Sequence, residues 1–193
     1  MSSDMARLAL LLGLFCTSAL GGPPKKKKAP PPPPPPVTAP TPLVRENLSE
    51  KTLSVLEGAE KVLSFSVSDS GGLRPDPEKA IASDFVRGEA GAELDAKQVE
   101  RLRSVLYDEK SFRFNQDVSK CRFVPHLSFQ LKAGIDTLEA LVSFSCNQVL
   151  FVVGKPGGRW LPQGTFDVKP ARSKLMELAK ATLKKDQKVQ GLK

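Results

Sequence analysis

From Leu127 onward apolar and polar residues alternate. Leu127, Phe129 and Leu131 share one face and Ser128, Gln130 and Lys132 the other, which predicts a half-buried strand. Alternation resumes with Leu138, Ala140, Val142, Phe144 and Cys146 inward and Thr137, Glu139, Ser143 and Ser145 outward. Between the runs, Ala133-Gly134-Ile135-Asp136 reads as a turn in which Gly134 takes φ > 0 without steric cost, so the pair predicts a hairpin. A two-residue loop at Ala133-Gly134 pairs Lys132 with Ile135 and carries Cys121 opposite Cys146. A four-residue loop over 133–136 pairs Lys132 with Thr137, sets Cys146 opposite Phe123 and makes Cys121 its diagonal neighbour. Either register brings the two sulfurs together, and Pro125 marks an edge or a bulge on the way.

Helical spacing occurs three times. Asn47, with Glu50 reaching back to it, caps a helix that buries Leu48, Val55 and Leu56 and stops at Gly58. Asp95 with Gln98 opens a second, with Val99, Leu102, Val105 and Leu106 on one stripe. Asp167 with Pro170 opens a third, lined by Leu175, Leu178, Ala179 and Leu183 before a lysine-rich, frayed end. Further strands are expected at 62–67, at 84–89 and at 149–153, the last continuously apolar and so covered on both faces after a tight Asn147-Gln148 connection. The Gly- and Pro-rich stretch 69–79 reads as a long loop, and 154–158 turns the chain. The expected class is α+β, an antiparallel β-meander with packed helices.

Arg7, an apolar run over 8–15 and the small residues Ala19 and Gly21 read as a signal peptide over 1–21. The apolar stretch is shorter than the roughly 20 residues that cross a bilayer, so a retained anchor is disfavoured. Cys16 follows the bulky Phe15, which also disfavours lipidation. Residues 22–44 hold Lys25, Lys26, Lys27 and Lys28 and the unbroken proline run 30–36, a composition that forms an extended tether rather than a core. A single domain over 45–185 and a basic, disordered tail over 186–193 complete the division. Export leaves two cysteines, and an even count in an oxidising compartment is most simply a Cys121–Cys146 disulfide. Closing a loop of that length stabilises by about 3 kcal/mol in the chain-entropy account.

Charge narrows the partners. The net +8 suggests nucleic acid, yet residues 45–168 carry 16 basic against 18 acidic groups, a net of −2. Positive charge is confined to the tether and the C-terminal end, so nucleic acid is excluded as a partner of the domain body. The tether lysines fit anionic cell-envelope polymers.

The segments Leu56-Glu57-Gly58-Ala59-Glu60-Lys61-Val62, Cys121-Arg122-Phe123-Val124-Pro125 and Ser143-Phe144-Ser145-Cys146 resemble a group of uncharacterised bacterial proteins predicted to be exported. The resemblance spans most of 45–185 and implies export and the domain boundary, with no activity attached. Members of that group often carry a further cysteine where this chain has Ser143, so shared thiol-pair or metal chemistry is not implied here.

Candidate chemistry is sparse. His126, the single histidine, lies five residues after Cys121, a parity that sends two strand side chains to opposite faces. Cys121, His126 and Cys146 lack the close ligand pair of a structural zinc site. Gly154-Lys155-Pro156-Gly157-Gly158 lacks the phosphate-loop pattern, and Pro156 removes an amide such a loop needs. No G-x-S-x-G elbow occurs. Most phenylalanines fall at core positions, whereas Trp160, beside Arg159 after the glycine turn, is either a binding contact or a cap on the core edge. The leading expectation is a noncatalytic envelope or extracellular interaction module, without cofactor or metal, whose candidate contacts are Trp160, Arg159 and His126. A small periplasmic hydrolase or thiol enzyme using Cys121 and His126 stands second, and a metal-binding periplasmic protein third.

Overall fold

The computed structural model describes residues 38–72, 75–82, 84–155 and 157–193. The signal peptide, Cys16 and the tether as far as residue 37, with its four lysines, lie outside these residues.

Two short helices open the domain, α1 (Pro42–Asn47) and α2 (Glu50–Gly58). They precede β1 (Lys61–Asp69), a two-residue β2 (Ala80–Ile81) and β3 (Phe85–Glu93). Helix α3 (Ala96–Tyr107) leads through a 3₁₀ turn and an irregular stretch to β4 (Leu127–Ala133), β5 (Asp136–Ser143), β6 (Gln148–Gly154) and β7 (Leu161–Asp167). Helices α4 (Arg172–Thr182) and α5 (Gln187–Gln190) close the chain. The class is α+β. Strands β4 to β7 form a meander, and β1 and β3 extend it on the β4 side in the antiparallel order β2-β3-β1-β4-β5-β6-β7.

The β4–β5 ladder runs from Leu127↔Val142 to Ala133↔Asp136. That is the second of the two expected registers, although the ladder continues until only Gly134 and Ile135 are left in the turn, with Gly134 at φ 56°. Cys121 and Cys146 are not ladder partners. They lie outside the strands, on the stretch before β4 and the turn after β5, with Cα atoms 5.8 Å apart and the sulfurs at bonding distance.

Local signals explain most boundaries. The Asp95–Gln98 capping box forms in both directions at the start of α3. Asn47 does not cap α2; it ends α1, and Ser49 is the cap, its Oγ accepting the Thr52 amide at 3.2 Å. The domain also begins before 45, because Val44 on α1 is fully buried and Thr41 N donates to Tyr107 O. The frayed tail expected after 185 is instead α5, capped by Asp186 and anchored by the buried Val189.

One sheet face carries the main core: Leu127, Phe129, Leu131, Leu138, Ala140, Val142, Val149 and Phe151 pack against Leu53, Val55 and Leu56 of α2, Leu102 and Leu106 of α3 and Leu175 and Leu178 of α4. Burial of a whole apolar side chain contributes about 1.5–3 kcal/mol, so this layer dominates stability. The opposite face, expected to be solvated at Ser128, Gln130, Thr137, Glu139 and Ser143, is buried: none of these five is more than 4 % exposed. The sheet curls toward that face. Interruptions in the β1–β3 register at Leu63/Phe65 and Phe65/Val67 accompany the bend, as bulges do. A smaller second core fills the concave side with Val67, Ile81, Leu141, Val152 and Trp160.

Candidate functional site

The concave face is built around a charge pair. Arg87 on β3 donates from Nε and Nη2 to Glu139 Oε1 on β5, at 3.1 and 2.6 Å. Glu139 is completely buried; its Oε1 also accepts from Gln130 Nε2 at 2.7 Å, and its Oε2 accepts from the Ser128 hydroxyl. Arg87 Nη1 donates to Glu78 O at 2.9 Å, which pins the 75–79 loop over the face. The guanidinium also lies 5.2 Å from the Trp160 ring centre and 5.9 Å from that of Phe65. A buried carboxylate needs this complete set of partners, because leaving it unpaired costs several kcal/mol (roughly 3–5).

Trp160 is a core cap. It is 9 % exposed and packs with Ile81 and Val152. Gly154 makes room for it: a Cβ there would come within 2.9 Å of the indole ring and 2.6 Å of Arg159 O. Arg159 is exposed, and together with the Trp160 edge it lines an open cavity of about 700 Å³ whose other wall is the loop bearing Ser70, Pro75, Pro77 and Asp84.

His126 sits elsewhere, at the start of β4, lining a cavity of about 660 Å³ with Asp69, Glu89 and the Lys185–Lys188 end of the chain. Its Nδ1 accepts the Phe144 amide at 3.2 Å, so Nε2 carries the proton in the neutral ring. Burial lowers its pKa; a hydrogen bond to the Val124 backbone opposes the shift and the Arg172 charge adds to it. The structure therefore places Arg159 and Trp160 together and His126 apart from them. Cys121 Sγ is bonded to Cys146, so neither sulfur is a free nucleophile in this state. Among the described residues, no group of three or more His, Cys, Asp or Glu side chains is placed to hold a metal ion.

The Arg87–Glu139 network escaped the sequence reading because Glu139 alternates correctly for an exposed position. The available signal lay next door: a strand at 149–153 covered on both faces means that a layer packs on each side of the sheet, the polar side of the neighbouring hairpin included.

No family model, curated protein or solved structure matches the chain. No helix among the described residues is long and apolar enough to cross a membrane.

Proposed function

We propose that this is an exported, noncatalytic interaction module, carried on a Lys- and Pro-rich tether, that engages its partner at the rim of the concave face. One observation carries the reading. The groups best suited to chemistry are already engaged with one another: Arg87 with Glu139, His126 with the Phe144 amide, Cys121 with Cys146. The open 700 Å³ groove beside Arg159 and Asp84 is instead lined by Ser70, glycines, prolines, alanines and the edge of Trp160, a surface for contact. In this reading Lys25, Lys26, Lys27 and Lys28 dock on anionic envelope polymers, and the bridged cysteines fit an oxidising compartment.

A photo-crosslinking residue at Arg159, compared with one at the exposed Glu46, which does not line the groove, tests this in cells. The reading expects a discrete adduct from position 159 only. Identical, diffuse labelling from both positions counts against it.

A further inference from the structure

We propose that the Cys121–Cys146 bridge is a redox latch on a surface strap, residues 117–125, and that a dithiol reductant opens it to unroof the cavity beside His126. The proposal concerns a different surface from the groove at Arg159 and does not depend on it.

Among the described residues, no backbone–backbone hydrogen bond ties 117–125 to the rest of the domain. The chain is held firmly on either side, by Arg113 N to Asp167 O at 2.9 Å and by His126 N to Val142 O at 2.8 Å. Within the strap the attachments are few. The bridge joins Cys121 to the turn after β5. Gln148 Nε2 donates to Val118 O at 2.9 Å, and Arg122 reaches Asp69 at 3.3 Å with an 84 % exposed side chain, an ion pair weakened by solvent. Phe123 meets Phe85 edge-on, with ring centres 5.9 Å apart, at the margin of the second core, and the Val124 backbone is hydrogen-bonded to the His126 ring. Val124 and Pro125 then form one wall of the 660 Å³ cavity. Segments with so few backbone bonds open locally at low free energy.

Cys121 is exposed and Cys146 partly so, within reach of a reductant. A thiolate of the dithiol attacks Cys121 Sγ, the Cys121–Cys146 bond breaks, and Cys146 leaves as a thiolate that takes a proton. The second thiolate of the reductant displaces Cys121, which is protonated in turn. Two electrons and two protons have passed to the protein, and the reductant has become a disulfide. The freed strap swings about His126, withdrawing Phe123 from Phe85 and lifting Val124 and Pro125 from the cavity. The β4–β5 ladder begins only at Leu127 and stays intact.

Trypsin reads the strap directly, because Lys120 and Arg122 lie within it. The full-length oxidised protein is digested briefly with and without dithiothreitol, cleavage is assigned by mass spectrometry, and hydrogen exchange of β5 is followed in parallel. Cleavage at Lys120 and Arg122 is expected to rise about tenfold or more on reduction, as the open population grows, with β5 protection unchanged and slow cleavage restored by reoxidation. Unchanged cleavage overturns the proposal, since the side chains alone would then hold the strap. Loss of β5 protection also overturns it, since the bridge would then hold the sheet. Oxidised Phe123→Ala is expected to stay slow; if it is cut as fast as the reduced protein, Phe123 is the latch and the bridge is not.

Discussion

Arg87 and Glu139 are joined across two intervening strands: the guanidinium of one, on β3, donates twice to a single carboxylate oxygen of the other, on β5. On a flat sheet these strands lie about 14 Å apart at ~4.8 Å per step, so the pair marks the depth to which the sheet curls. Glu139→Gln leaves the guanidinium buried without its counter-charge and is expected to cost roughly 3–5 kcal/mol, a large part of a domain's 5–15 kcal/mol. The double change Arg87→Met with Glu139→Leu is expected to cost less than the worse single change. Urea denaturation of Glu139→Gln, of the single changes Arg87→Met and Glu139→Leu, and of their combination measures both.

Gly154→Ala tests the seat of Trp160. The added methyl collides with the indole and with Arg159 O, so the ring is displaced from the second core. The chain has one tryptophan, and its emission is expected to shift to longer wavelength with a lower melting temperature. Unshifted emission from a folded variant contradicts the packing described.

His126 makes stability depend on acid. Its folded pKa lies below the ordinary 6.5, so the unfolded chain binds the proton more readily than the fold does. The contribution is complete above pH 6.5 and is lost as pH falls from there through the folded value. His126→Asn keeps an acceptor for the Phe144 amide without the titration. The melting temperature of the parent is expected to fall between pH 7 and 5 by more than that of the variant.

Asp95→Ala removes the side chain that accepts the Gln98 amide at 2.9 Å and is expected to cost about 1 kcal/mol. The cost should appear as a lower denaturation midpoint with an unchanged slope.

How far the sequence could be read follows from the range of each interaction. The capping box at Asp95, the main-core stripes of α3 and α4 and the hairpin turn at Gly134 are encoded within a few residues, and each is legible. Ser49 displaced Asn47 as the cap of α2 because Pro42, favoured in a first helical turn, starts a separate helix that ends at Asn47. The buried polar face was legible only through its neighbour, the doubly covered strand at 149–153. Ser128, Gln130 and Glu139 alternate like solvent-facing residues, and only Arg87, more than 40 positions from Gln130 and pinned beside it by curvature, turns them inward. Likewise Val189 and Leu192 are the two apolar residues after Asp186 in a lysine-rich end, too little local signal for a one-turn helix that needs its core contact as well as its Asp186 cap.

Intact mass spectrometry of protein taken from its native compartment, with thiol labelling before and after reduction, tests the proposed export and the Cys121–Cys146 bridge together. An exported, bridged chain has a mass beginning at Gly22 and two thiols that label only after reduction. A chain retaining Met1, or Cys121 and Cys146 labelling freely before reduction, contradicts it.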